Sequence, residues 1–262
     1  MSRVDDDERL LRGASFGAVA QAYAEHRPDY PGTAVRWCLA PVGSDVSRLR
    51  VLDLGAGTGK LTALLTALGA DVTAVEPDPA MLAELRRVLP TVNALPGSAE
   101  GIPVPDGSVD AVLCGQAMHW FNLEVALPEI ARVLVRGGVL AGLWNSDDDR
   151  VDWVAGLQAA ARGAGSRALT VWRTQSAYYG VGEFAPALFG PTDRAEFPNA
   201  QLRTARSLVA TIATHSRVLV MTPAERADLL AGVTDYLAGR PETANGEFTV
   251  PMITSALRAV RL

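Results

Sequence analysis

The run Arg50-Val51-Leu52-Asp53-Leu54-Gly55-Ala56-Gly57-Thr58-Gly59-Lys60-Leu61 decides how the rest of the chain is read. Arg50 to Leu54 has the apolar character of a short buried strand, and a glycine cluster stops it. Beyond the cluster, Leu61, Leu64, Leu65 and Leu68 mark an amphipathic helix that Gly69 closes. The predicted local order is therefore strand, glycine loop, helix. Side chains in such a loop would hold a ligand away from the backbone, so glycines are needed there.

Spacing discriminates among the loops that bind nucleotides. A phosphate loop ending at Lys60 would need glycine where Leu54 stands and serine or threonine where Leu61 stands. The dinucleotide pattern G-x-G-x-x-G would need its third glycine at Lys60, which disfavours an NAD-dependent oxidoreductase. This chain has G-x-G-x-G, with Asp53 two positions ahead of it. Glu76 follows a second predicted strand, Asp71 to Val75, and lies 21 positions after Gly55. In a βαβ unit that offset puts a carboxylate beside the ribose of a nucleoside held over the loop. Read alone, Glu76 is better taken as a solvated charge at a strand end; combined with the loop at this spacing, the ribose role is the expected one.

Outward from this unit, Pro79 to Leu89 reads as a helix, Val92 to Leu95 as a third strand and Val109 to Cys114 as a fourth. A helix lies within Leu123 to Leu134, with Pro128 expected near its first full turn. The turn Arg136-Gly137-Gly138 leads to a fifth strand, Val139 to Leu143. Strands alternating with helices predict an α/β, Rossmann-like, doubly wound and mostly parallel sheet. Upstream, Phe16 to Tyr23 has helical spacing, and a helix is expected over Thr33 to Leu39 after the turn Pro28-Asp29-Tyr30-Pro31. Downstream, helices are expected from Val151 to about Ala161 and over Ala205 to Ala213, with a sixth strand near Arg194 to Phe197. Thr222-Pro223-Ala224-Glu225 is a capping box that starts a helix running to about Leu237. Phe248 to Ile253 is a last strand, expected at or near an edge because Pro251 cannot donate to a ladder. Without a repeat or linker, 1–262 reads as one domain: an N-terminal helical cap over 1–45, a cofactor-binding half over 46–147, and a substrate-side half over 148–262 with helical and aromatic additions and a lid over 160–192.

The 262 residues are 48% hydrophobic and 20% charged, a globular balance. A net charge of -5 disfavours a nucleic-acid or anionic-membrane binder, which needs a basic face. Cys38 and Cys114 make neither a disulfide framework nor a metal clip and are expected as inert buried thiols. The first eight residues are acidic where a secretory signal is basic, and no run approaches ~20 apolar residues. A soluble cytoplasmic protein is expected. Its oligomeric state, homodimer included, is not derivable.

Val51 to Gly59 resembles the first motif of the class I S-adenosylmethionine-dependent methyltransferases. Glu76-Pro77-Asp78 with Met81 resembles the second motif, and Gly97-Ser98-Ala99-Glu100 before Ile102-Pro103 is similar to the third. Arg132-Val133-Leu134 with Gly137-Gly138 resembles the turn before the fifth strand. The resemblance spans about residues 15–150 and implies seven strands, the last antiparallel. It implies S-adenosylmethionine as cofactor and S-adenosylhomocysteine as product, with contacts from Asp53, Gly55, Ala56, Gly57, Thr58, Gly59, Glu76, Pro77, Met81, Ser98, Ala99, Glu100 and Gln116. Many relatives carry Asp where Ser98 stands; Ser98 accepts more weakly, so the adenine contact here rests more on the backbone at Ala99. Asp53 reads either as orienting the loop and the cofactor's amino group or as a capping carboxylate. Methyl transfer by in-line displacement needs alignment and water exclusion, and no metal.

The acceptor is narrowed by the segment after the fourth strand, Cys114-Gly115-Gln116-Ala117-Met118-His119-Trp120-Phe121. It lacks the Asn/Asp-Pro-Pro-Tyr motif of amino-group nucleic-acid methylases and a Pro-Cys nucleophile. No acid stands after this strand to complete a catechol-type magnesium site with Asn145 or Asp147. His119-Trp120-Phe121, together with Tyr23 and Arg27 through Pro31, resembles a small-molecule subgroup like the trans-aconitate methyltransferases, which esterify carboxylates. His119 would be a general base for a hydroxyl acceptor, would orient a carboxylate, or would simply pack the sheet end. Tyr23 could close over the cofactor, and Arg27 could pair with a carboxylate. Trp120, Trp144, Trp172, Tyr178 and Tyr179 are candidate substrate contacts, or parts of a core. The expected acceptor is an oxygen of a small, partly apolar molecule, a carboxylate ahead of a hydroxyl. Carbon methylation of a quinone-like or lipid acceptor and a non-catalytic nucleoside-binding module remain as alternatives.

Overall fold

The computed structural model describes residues 28–162, 184–213 and 216–262. Tyr23, Arg27, Trp172, Tyr178, Tyr179, the helix expected over Phe16 to Tyr23 and most of the expected lid lie outside the described residues. In chain order the main elements are α1 (Gly32–Leu39), β1 (Arg50–Leu54), α2 (Lys60–Ala67), β2 (Asp71–Glu76), α3 (Pro79–Val88), β3 (Asn93–Pro96) and β4 (Val109–Gly115). They continue with α4 (Leu123–Val133), β5 (Leu134–Asp147), α5 (Asp152–Arg162), β6 (Asp193–Thr204), α6 (Ala205–Ala213), α7 (Ser216–Leu219), α8 (Pro223–Ala238) and β7 (Glu247–Val260).

Seven strands form one sheet in the order β3-β2-β1-β4-β5-β7-β6. The pairs β1–β2, β1–β4, β2–β3 and β4–β5 are parallel, and β7 runs antiparallel to β5 and β6. This is the Rossmann-like architecture that the alternation and the resemblance predict. From β1 the chain moves outward to β2 and β3, then returns to β4 on the other side of β1. Strand order reverses there, and the crevice beyond the carboxyl ends of β1 and β4 is where open α/β sheets bind ligands.

Three expectations are corrected. Pro128 is the sixth residue of α4, inside the helix rather than in its first turn. The buried face of Ala126, Leu127, Ile130, Ala131 and Val133 holds the helix together against the missing N–H. The last strand is longer than Phe248 to Ile253 and lies between β5 and β6, so it is not an edge. Proline removes one donor, which costs at most one bond in a 14-residue strand. The fifth strand begins at Leu134, before the glycine pair: Val109 pairs with Leu134 and Ala111 with Val139, so residues 135–138 bulge out of the ladder with β4, while Gly137 and Gly138 bond to Arg261 instead. The edge is instead β6, which accommodates Pro198 because an edge strand leaves one row of donors unused.

The described residues fall into two compact units. One comprises 29–145, 184–197 and 254–262. Its core holds Leu52, Leu54, Val75, Val112, Ile130, Trp144 and Phe189 in one cluster and Val35, Leu39, Val51, Leu65, Leu113 and Leu143 in another. The other comprises 28, 146–162, 198–213 and 216–253, with its own core of Trp153, Leu157, Leu208, Ile212, Val233, Leu237 and Phe248. There Trp153 meets Phe248 edge-on at 5.8 Å, and the predicted Thr222–Glu225 capping box starts α8.

Candidate active site

Asp53 sits in β1 opposite Ala74 of β2 and Leu113 of β4, fully buried among apolar strands. Thr62 Oγ1, from the buried face of α2, donates to Asp53 Oδ2 at 2.6 Å. Asp53 Oδ1 and Thr58 Oγ1 are buried and accept or donate to nothing among the described residues. Burial pushes the Asp53 carboxyl up to about 7; the Thr62 bond opposes this and the nearby Glu76 charge adds to it. Burial, reinforced by Asp53, also raises the Cys114 thiol, and burial lifts Cys38 to about 12, so neither is a nucleophile.

The loop from Gly55 to Gly59 turns on left-handed backbone. Gly55 has φ +71, and a Cβ there would stand 2.6 Å from the Cβ of Ala117, because the turn after β4 presses on the loop. Gly57 has φ +58, but the space beside it is open except for Met81 Sδ at 3.8 Å. Hydrogen bonds from the Gly55 and Ala56 N–H groups to the Val75 carbonyl, at 2.9 and 3.1 Å, tie the loop to β2.

Glu76, the last residue of β2, fixes the loop from the other side. Its Oε2 accepts from the Gly57 N–H at 2.8 Å and its Oε1 from the Asp78 N–H at 2.9 Å. Burial raises the Glu76 carboxyl, and these two backbone bonds pull it back down. Each oxygen keeps a further lone pair for a donor such as a ribose hydroxyl. Pro77 is exposed beside it, and Met81 is buried in the first turn of α3, which Asp78 caps.

The remaining predicted residues lie on two turns and one strand. Ser98 is half-buried in a bridge with Gly101, and Ala99 is buried. Glu100 Oε1 accepts from the Asn122 N–H at 2.8 Å, so this carboxylate is engaged at the start of α4. Gln116 has φ +55 and is the non-glycine residue in left-handed backbone among the described residues. Its N–H donates to the Leu143 carbonyl and its Nε2 to the Asn145 carbonyl, both at 2.8 Å. The turn it opens presents His119, exposed, with its ring 4.7 Å from that of Trp120. Trp144 is 2% exposed and belongs to the core of its unit rather than to an open wall.

The structure therefore brings Asp53, the glycine loop, Glu76, Met81, Gln116 and His119 to the carboxyl ends of neighbouring strands. Buried polar atoms without protein partners, an open cradle at Gly57 and a half-satisfied acidic pair suit a cationic nucleoside. Sequence reasoning missed Thr62, whose signal is a threonine on an otherwise leucine-lined helix face. Arg132, named from the sequence only as part of the turn before the fifth strand, has a second role: its guanidinium donates to Glu129, Asp106 and the Ile102 and Val104 carbonyls, holding the segment after Ala99. Among the described residues no group of three or more His, Cys, Asp or Glu side chains is placed to hold a metal ion.

A family profile described as "Methyltransferase domain" matches residues 52–142. An uncharacterized methyltransferase of Mycobacterium tuberculosis is 39% identical over 246 residues, covering 94% of this chain and 95% of the relative. A malonyl-(acyl-carrier protein) O-methyltransferase of Methylococcus capsulatus is 35% identical over 147 residues, 52% of each chain. The solved structure of a protein described as a type II methyltransferase, from Anaeromyxobacter dehalogenans, shares the fold with a TM-score of 0.56 and 24% identity, covering 90% of this chain and 96% of that one. With 39% identity to a methyltransferase over nearly the whole chain, the first motif in place over the switch point and the sheet that the family requires, the chain belongs to the class I S-adenosylmethionine-dependent methyltransferases.

Proposed function

We propose that this methyltransferase esterifies a carboxylate of a small, partly apolar molecule, rather than acting on nucleic acid or a membrane. The observation that carries this reading is the 35% identity, over 52% of the chain, to an enzyme named for O-methylation of a malonyl group, whose free oxygen nucleophile is a carboxylate. Exposed His119 beside half-buried Trp120, in the turn after β4, gives it a physical counterpart, a polar imidazole next to an apolar ring.

S-adenosylmethionine, when bound, supplies a methyl group on cationic sulfur, and an ester C–O bond forms as the C–S bond breaks. An ionised carboxylate needs no base, so His119 orients the acceptor and moves no proton. Glu76 would hold the ribose hydroxyls, and Asp53 would face the amino group through its unpartnered Oδ1. Ser98 and the Ala99 backbone would meet the adenine, with Pro77, Met81 and Glu100 around it, and Gln116 would close the near side. Tyr23 and Arg27 are proposed to complete the cofactor contacts, and Trp120, Trp172, Tyr178 and Tyr179 those of the acceptor. Preorganised positioning and water exclusion are what these side chains contribute.

The test is turnover of methyl-labelled S-adenosylmethionine with a panel of short, medium-chain and aromatic acids, malonyl thioesters and phenols. The expected product is a base-labile methyl ester, and His119→Ala should slow its formation less than ~10²-fold, the lower bound for loss of a general base. Label appearing only in base-stable ethers or on carbon would overturn the proposal.

A further inference from the structure

Asp29 is held at two places by two elements of the site. Its carboxylate pairs with Lys60 Nζ at 2.9 Å, and Lys60 is the first residue of α2, directly after the glycine loop. Its carbonyl accepts from Asn145 Nδ2 at 3.1 Å, near the end of β5. A carbonyl can only accept, so the amide orientation of Asn145 is determined, and its Oδ1 takes the Thr254 hydroxyl at 2.5 Å. The Asn145 main-chain carbonyl takes Gln116 Nε2, so one buried residue also braces the left-handed turn that presents His119. The neighbouring Tyr30 places its hydroxyl 2.7 Å from where a Cβ on Gly115 would stand, at the end of β4. The Asp29–Tyr30 turn thus runs from the glycine loop to the ends of β4 and β5.

We propose that Asn145 and Lys60 are positioning residues for the cofactor: they strap the Asp29–Tyr30 turn beside the glycine loop, so that cofactor retention depends on contacts neither makes with the cofactor. This rests on the proposed placement of the cofactor over the glycine loop. The Lys60 arm is solvent-facing, with the Asp29 side chain 78% exposed, and contributes modestly. The Asn145 arm is buried and contributes more.

Titration calorimetry of the full chain with S-adenosylhomocysteine tests the strap. Asn145→Ala should weaken binding about tenfold, while Lys60→Met and Asp29→Asn each weaken it about threefold. The Lys60→Met/Asp29→Asn double variant should match either single, because both remove one pair. Lys60 is the sole lysine of the chain, so an amine-reactive ester read by peptide mass spectrometry reports this arm directly. Its modification should be slower with saturating S-adenosylhomocysteine and faster in Asn145→Ala. Thr254→Val, which frees the Asn145 amide to turn, is the second variant if Asn145→Ala does not fold, and should also loosen binding. Wild-type protein that binds S-adenosylhomocysteine, with all variants within twofold of it, overturns the strap alone. So does a urea midpoint that falls while affinity holds. Wild-type protein that does not bind overturns the cofactor reading, and the strap with it.

Discussion

Thr62 and Asp53 share one hydrogen bond of 2.6 Å beneath the glycine loop, and it satisfies only half of a fully buried carboxylate. A protein gains nothing in stability from leaving Oδ1 unpartnered, since an unmade buried bond costs about 1–3 kcal/mol. The arrangement makes sense at a site completed by a ligand. It also ties the fold's stability to pH.

The Asp53 carboxyl is raised from 3.8 to about 7 by burial, with the Thr62 bond opposing and Glu76 adding. Between those values the unfolded chain has lost this proton while the folded chain keeps it. The folded state binds more protons, so stability is greatest at the acid end of the window, declines as pH rises through about 7, and then levels. Burial moves Glu76 in the same direction. Urea midpoints of the unliganded protein across this window should show the decline, and Asp53→Asn should flatten it. An unaltered slope in Asp53→Asn would show that the proton belongs elsewhere.

Two glycines of the loop make different demands. Alanine at either must adopt left-handed backbone, at about 1–2 kcal/mol. At Gly55 the new methyl would also stand 2.6 Å from the Ala117 Cβ, whereas at Gly57 it meets only Met81 Sδ at 3.8 Å. Gly55→Ala should therefore be less stable than Gly57→Ala by about a further 1–3 kcal/mol in chemical denaturation. Gly57→Ala should fold yet lose affinity for S-adenosylhomocysteine, because its methyl occupies the open cradle. Equal stabilities would mean that the turn after β4 does not press on the loop.

The first βαβ unit was legible because its signals are local: β1 ends at Leu54 as the glycines require, and the leucine-spaced α2 spans Lys60–Ala67 just ahead of Gly69. Local rules failed where pairing with distant strands decides. Arg136-Gly137-Gly138 reads as a turn, yet Leu134 ahead of it already pairs with Val109. Pro251 reads as an edge signal, yet β7 is covered on both sides. In the site, Glu76 announces itself by its offset from Gly55, whereas the grip of Asn145 and Lys60 on Asp29 joins residues 116 and 31 positions apart in the chain, and no local pattern records it.

Gln116 carries backbone strain that its neighbours hold in place. Gln116→Gly relieves about 1 kcal/mol of left-handed strain and loses the Nε2 bond to the Asn145 carbonyl, worth a similar amount, so stability should barely change. Gln116→Ala keeps the strain and loses the bond, and should be about 1 kcal/mol less stable. Both should turn over more slowly, since the turn that presents His119 loses its brace. Denaturation curves in which glycine is the worse of the two would remove strain from the account.

Glu76→Gln is nearly isosteric but should behave as a severe variant. Both carboxylate oxygens accept backbone N–H groups, from Gly57 at 2.8 Å and Asp78 at 2.9 Å. An amide can offer an oxygen to only one of them, and its NH₂ must face the other donor. Whichever way it turns, one backbone N–H is left unmet, at about 1–3 kcal/mol, and the loop or the cap of α3 is released. Affinity for S-adenosylhomocysteine should fall at least tenfold, about as far as in Glu76→Ala, with a lower urea midpoint. If glutamine instead preserved affinity, the acidic side chain would be serving as a spacer, and the ribose would have to be held by other groups.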